Sequence, residues 1–426
     1  MLRLKYSTLA AVIPLAILAS DIIVVINTFI GVSNGSTALV LALNMITACF
    51  LLALAKKTAW KNEIPKLPRL VLAALLTWSC ITLARGALVA TDYWAWKSLA
   101  TNHLFMYLMP LGIVIGLNSA YFKRTYSTIL LVALPIAFLT IPLTLTLFNE
   151  IFQRATLPVF MLLLTLPFIS RSWKFFVIFV AIISVALDLS YRTNVLRIMV
   201  ATSLAMLFMF RLRPTLMALN AAWLISLLVP LLLLGLGLSG KYNLFRDGLT
   251  FDAAVTVIEG GVARESAISA DTRTFLYDEV LTSMKKRGSS FIMGQGAGTG
   301  YESIYFSESI VGANGRGGSE VGFLNTLLYS GVIGVILYAA MLFIAALYAF
   351  NRSNNDLCKA FGLFLLFKWV TFFIEDIPRM DLNFFCIWII IGLCLSKSFR
   401  QLNNAQVRSI FRVKHPSTLF RQVQAT

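Results

Sequence analysis

Charge is scarce in this chain of 426 residues: 13% are Asp, Glu, Lys or Arg, and acids are scarcer than bases, 19 against 36. A soluble chain of ordinary composition carries about 25% charged residues, so a water-soluble globule is excluded. Histidine occurs twice, as His103 and His415, and cysteine five times, as Cys49, Cys80, Cys358, Cys386 and Cys394. No Cys-x-x-Cys pair or Cys/His cluster has metal-ligand spacing, so no metal is expected. None of the cysteines falls within 239–320, so no structural disulfide is expected in that connection. The glycine run from Gly294 to Gly300 lacks the Gly-Lys-Ser/Thr ending of a phosphate loop, and no βαβ pattern surrounds it, so no nucleotide cofactor is expected. There is no internal repeat, which argues against the paired halves of many secondary transporters.

Apolar sequence is abundant, with 58% hydrophobic residues. Runs of roughly 20 apolar residues, enough to cross a bilayer, recur at 7–30, 37–55, 69–89, 103–118, 128–148, 155–170, 174–189, 195–211, 216–238, 321–350, 358–374 and 382–397. This predicts an all-α, polytopic membrane bundle of about 12 spans. The first run is too long for a signal peptide and carries Asp21, so it reads as a retained span. Connections holding Lys56, Lys57, Lys61, Lys66, Arg69, Lys123, Arg124, Arg171, Lys174, Arg211, Arg213, Arg352 and Lys359 alternate with connections poor in bases. By the positive-inside rule both termini are cytoplasmic, and the net charge of +17 reflects cytoplasmic loops rather than nucleic-acid binding. The expected location is a bacterial inner membrane. The chain divides into nine spans (1–238), a large outer, periplasmic loop (239–320), three spans (321–397) and a basic cytoplasmic tail (398–426).

Within the loop, Phe275, Leu276, Val280, Leu281 and Met284 recur near helical spacing, which predicts a helix over 271–287 lying either on the bundle or at the lipid interface. Arg192 and Arg197 stand at an outer end, against the charge bias. They either snorkel to headgroups or bind phosphate oxygens of a lipid pyrophosphate through paired hydrogen bonds. Glu320 stands where the loop re-enters the membrane, four residues after Arg316. It is either a helix cap with a local ion pair, or a carboxylate placed to take a proton from an attacking hydroxyl. Asp21 and Lys368 lie deep in apolar spans, where charges are costly and usually paired, so they are expected to pair with each other. Glu375 and Arg379 flank Pro378 in the last outer turn and are either a solvated loop or contacts for sugar hydroxyls.

The order of these features carries a resemblance. Arg273 precedes Tyr277 by four residues, then come Gly294-x-Gly296, a polar residue opening a span, and Leu324-x-x-Leu327-x-x-x-Gly331-x-x-Gly334. This is similar to the O-antigen ligase and O-antigen polymerase superfamily, whose members have a GT-C-like helical fold with a large periplasmic loop between the ninth and tenth spans. Arg192 matches the family's entrance arginine. In the ligases a histidine opens the re-entering span; here its place is held by Glu320, which points to the polymerase branch. The resemblance implies an inverting, metal-independent membrane glycosyltransferase. It would pass a growing glycan from undecaprenyl pyrophosphate to a lipid-linked repeat unit, for O-antigen, capsule or exopolysaccharide. Arg192, Arg273 and Glu320 would be catalytic; Arg197, Arg316, Tyr277, Gly294, Gly296, Glu375 and Arg379 would bind substrate. Implied partners are the undecaprenyl-pyrophosphate-linked oligosaccharide and membrane lipid, with a chain-length regulator and a flippase as candidates. The alternatives are a ligase that uses another lipid acceptor, and a transporter or lipid-glycan flippase. The clustering of unusual charges at the outer face suits surface chemistry better than passage through the membrane.

Overall fold

A long apolar segment satisfies its backbone polar groups only within itself, and the helix does this. The computed structural model describes residues 6–30, 35–146, 150–187, 189, 192–239, 254–259, 262–267, 274–288, 291–304, 315–375 and 378–411. The principal helices are α1 (Tyr6–Ile30), α2 (Gly35–Lys57), α3 (Lys66–Val89), α4 (Tyr93–Leu117), α5 (Arg171–Leu187), α6 (Arg192–Met209), α7 (Leu216–Leu238), α8 (Thr274–Lys286), α9 (Gly322–Asn351), α10 (Asp356–Phe372) and α11 (Leu382–Leu395). Among the described residues, seven helical segments are long and apolar enough to cross a membrane; they lie in α1 to α4, α6, α7 and α9. The chain is a helical membrane protein.

The remaining expected spans fall on shorter or interrupted helices. The run 128–148 is divided by a π turn at Ile129–Ala133, and α5, α10 and α11 have 17, 17 and 14 residues. α4 begins at Tyr93, earlier than the expected 103, because Asp92 caps it by accepting from the Ala95 N–H at 2.8 Å. The connection 90–102, expected outside, is therefore largely helix. One departure from an all-α chain is a hairpin of β1 (Ala254–Glu259) and β2 (Val262–Ala267), with Glu259 opposite Val262. Its alternating Val-Thr-Val-Ile pattern before Gly260-Gly261 is a hairpin signature that hydropathy alone overlooks.

α9 packs against α3, α7, α10 and α11, and every residue of α11 is buried, so these helices form the centre. The two ends of the bundle differ. At one end Glu63 accepts from Ser396 and Ser398, Arg213 pairs with Asp356 at 3.0 Å, and the Arg400 guanidinium donates to the Arg352 carbonyl. The start of α1 lies here too, with the Lys57 ammonium over the Tyr6 ring. Helix α8 and residues 291–304 and 315–320 of the long connection lie at the other end, here the loop end.

α9 is broken at Gly331, whose φ of +65° and ψ of −171° interrupt the helix. The freed groups are taken up by residues of the glycine-rich loop and by α3. The Leu328 carbonyl accepts from the Gln295 N–H at 2.7 Å, Tyr329 from Gly296 at 3.0 Å, and Ser330 from the Trp78 indole at 2.9 Å. Beyond the break, the Val332 and Ile333 N–H groups donate to the carbonyls of Phe291 and Ile292. The Ala297 N–H donates to the Thr82 carbonyl at 3.1 Å, and the Arg85 guanidinium donates to the Met293 and Gly294 carbonyls. Irregular backbone at this depth is tolerated because protein groups satisfy it. At 1.5 Å per residue, Gly331 lies about 14 Å from the start of α9, and Thr82 about 10 Å from the end of α3. Residues 291–297 thus form a re-entrant segment, docked on the bundle between α3 and the broken α9.

Candidate functional site

The start of α6, the start of α9 and the turn after α10 converge at the loop end. Glu320 immediately precedes this junction. The Gly322 N–H donates to the Glu375 carbonyl at 2.7 Å, which joins the α9 entrance to the turn. The Glu375 carboxylate accepts from the Thr193 hydroxyl, which joins the turn to α6 beside Arg192. A few residues on, Arg379 Nε donates to Asp381 at 2.6 Å, and the buried Asp381 caps α11 by accepting from the Phe384 N–H. Arg192, beside Thr193, and Glu375, Arg316 and Glu320 therefore stand close to one junction, here called the mouth, with Arg379 four residues beyond Glu375 and paired with Asp381. Glu375 and Arg379 are each tied to neighbouring groups rather than loosely solvated.

Glu320 is presented, not buried. Its side chain is 44% exposed and meets Arg316 Nη2 at 3.4 Å. It does not cap α9: the cap residue is Val321, with no side-chain cap bond. The expected local ion pair is present and the expected helix cap is absent. The strand of chain carrying Glu320 is clamped at three points. Arg316 Nη1 donates to the Tyr301 hydroxyl, and the Tyr301 and Arg316 backbones bond reciprocally at 2.9 Å. The Tyr329 hydroxyl donates to the Gly317 carbonyl. Asn325 clasps Ser319 through two 2.7 Å bonds. Asn325 and Tyr329 are four apart and so share a face of α9. Polar residues at that spacing in an apolar span were a usable signal that the sequence reading passed over.

Arg197 lies elsewhere than expected. It is 2% exposed, inside the bundle, and donates to Asn194, which in turn binds Gln153 and Ser184. Five residues along α6 carry it below the mouth, so it does not snorkel to headgroups. Arg273 lies outside the described residues. The charges acting on Asp21 include Arg379, Asp381 and Arg154.

α8 packs on the bundle, with Leu276, Val280 and Met284 fully buried. Its alternative place at the lipid interface is set aside. Gly288, at φ +60°, follows its end, a conformation that glycine adopts without strain. Tyr277 anchors this helix: its ring stacks on Phe323, its hydroxyl donates to the Phe373 carbonyl at 2.6 Å, and burial pushes its phenol up. Tyr277→Phe is expected to destabilise the purified protein by about 1 kcal/mol, the worth of one net hydrogen bond, in a thermal melt. Lost activity with an unchanged melt would instead make Tyr277 a substrate contact. Gly294 and Gly296 have φ of +72° and +101°, and a Cβ on Gly294 would stand 2.5 Å from the Gly331 nitrogen. Their part is the docking of backbone on backbone, since the Gly296 N–H is already committed to Tyr329. His103 lies beneath, its ring edge-on to Tyr329 at 4.8 Å and its Nδ1 3.1 Å from the Ser98 carbonyl.

No protein-family description matches this chain, nor does a curated protein or a solved structure.

Proposed function

We propose that this protein is a polymerase of lipid-carried oligosaccharides: a GT-C-like bundle of about 12 spans in a bacterial inner membrane, with both termini cytoplasmic and the loop end periplasmic. The observation that carries this reading is the mouth itself. Cationic Arg192, Arg316 and Arg379 and acidic Glu320 and Glu375 are gathered at the loop end of an otherwise apolar bundle. A lipid pyrophosphate at the membrane surface and a sugar hydroxyl are the chemistry such a mouth suits. The bases near α2, α7 and α10 at the opposite end fit the positive-inside rule.

In the proposed reaction, the acceptor hydroxyl oxygen attacks the anomeric carbon of the donor glycan. The bond from that carbon to the pyrophosphate oxygen breaks, and its electron pair leaves with undecaprenyl pyrophosphate, inverting the carbon. The hydroxyl proton passes to the exposed Glu320 carboxylate. Arg192 and Arg316, with Arg273 as the resemblance implies, would stabilise the charge gathering on the leaving group. Arg197, buried behind Asn194, would position the start of α6. Glu375, held by Thr193, and Arg379 would face sugar hydroxyls or phosphate.

The test is complementation. Deletion in the native host is expected to collapse the surface-glycan ladder to single repeat units. Arg192→Ala, present at normal level in the membrane, is expected to do the same. If single units fail to reach the outer leaflet, the protein is a transporter. If long chains form and remain on the carrier, it is a ligase.

A further inference from the structure

Arg85, near the end of α3, is half-buried, and among the described residues no carboxylate pairs with it. Its guanidinium donates once from each Nη, to the Met293 and Gly294 carbonyls. Five N–H donors exist on a guanidinium, so donors remain. The apolar side chains around it face outward. Leu88 is 86% exposed, one turn from Arg85, and Ile292 is 63% exposed on the re-entrant segment. The Val332 and Ile333 bonds to Phe291 and Ile292 set Ile292 beside α9. There Val332 is exposed, and Ile336, one turn further, is 59% exposed. Exposed Tyr93, Trp94 and Trp96 follow directly after α3, with the Lys97 ammonium over the Tyr93 and Trp94 rings. Tyrosine and tryptophan in such a belt mark the membrane–water interface. Arg85 thus lies just below headgroup level, beside an apolar strip that continues along α9 to Ile336, about 6 Å beyond Val332.

We propose that Arg85 and this strip form a second binding site for a polyprenyl pyrophosphate, with the phosphate on Arg85 and the chain along Ile292, Val332 and Ile336. Charge complementarity selects an anionic head, and continuity with the lipid-facing surfaces of α3 and α9 selects a hydrocarbon tail. The choice of carrier lipid rests on the proposed polymerase reaction, which joins two carrier-linked chains and so holds two pyrophosphates at once. The re-entrant segment links the sites: Arg85 grips Met293 and Gly294, and Tyr301, further along the same stretch, grips the Arg316 that faces Glu320.

The experiment is equilibrium binding of sugar-free undecaprenyl pyrophosphate to the full-length protein in detergent micelles. Wild type is expected to bind two molecules per chain. Arg85→Gln is expected to weaken one of the two by about tenfold, as for loss of a charge-assisted hydrogen bond. Because Arg85 also holds the glycine loop, Ile336→Trp provides a second variant. It lies away from that grip, its side chain faces outward, and it is expected to weaken the same site by obstructing the strip. A tenfold excess of phosphatidylglycerol is expected to leave both sites occupied. Wild-type binding by both variants, or displacement by phosphatidylglycerol, overturns the proposal; the latter makes the strip a contact for bulk lipid. If the complementation test shows no glycan ladder phenotype while Arg85→Gln still removes one site, the polymerase reading fails and the lipid site stands.

Discussion

Glu320→Gln is expected to slow chain extension by between about a hundred- and ten-thousand-fold, the range for loss of a general base. The substitution keeps the shape of the side chain and a hydrogen-bond acceptor toward Arg316 Nη2, now 3.4 Å from the carboxylate. It removes the capacity to take a proton. The competing account is that Glu320 only pairs with Arg316. That pair is long and its carboxylate is 44% exposed, and exposed ion pairs are worth at most about 1 kcal/mol. On that account the variant would be nearly as stable and as active as wild type. The two accounts separate cleanly when extension of a lipid-linked repeat unit is measured beside the thermal melt of the same purified protein. Collapse of the rate with an intact melt supports the base. Wild-type rate removes Glu320 from the chemistry and leaves the arginine mouth without an assigned base.

Gly294→Ala is expected to cost on the order of 3 kcal/mol or more, and to reduce the yield of monodisperse protein sharply. Two costs add. The φ of +72° is a left-handed conformation that an L side chain adopts only under strain. The added Cβ would also stand 2.5 Å from the Gly331 nitrogen and 2.6 Å from the Tyr329 carbonyl oxygen. These are backbone atoms at the break in α9, so no side-chain rotation relieves the contact. Displacing the segment would strip partners from the Leu328 and Tyr329 carbonyls and the Val332 and Ile333 N–H groups, at a depth where water does not replace them. Gly317→Ala is the control. Gly317 is exposed, with nothing within 4 Å of an added Cβ, so a change within about 0.5 kcal/mol is expected. Equal melts for the two variants would sink the docking account of the glycine motif.

The same motif shows where sequence reading runs short. Gly294-x-Gly296 and Gly331-x-x-Gly334 were visible as patterns, but their relation was not. Two segments more than thirty residues apart meet because each lacks the atoms that would hold them apart. Arg85 passed unremarked inside an apolar run, since its carbonyl partners lie far along the chain. The hairpin of β1 and β2 shows in the sequence only as short alternation before two glycines, which the length of apolar runs does not register. By contrast the loop helix α8 was legible from its spacing and its terminating Gly288, which act over a few residues.

Local composition determined the class of this protein. Apolar runs of membrane length leave the helix as the available form, and scattered bases label one end of the bundle, because both effects act segment by segment. The same local reading placed Glu320 and Arg316 near one another, being four apart. Tertiary structure decided which polar residues meet. It brought Arg192 to Glu375 through Thr193, sank Arg197 into the bundle, and drew the glycine loop into the broken α9. Those outcomes depend on how helices pack and on where unsatisfied backbone groups find partners, which are properties of pairs of segments rather than of any one of them.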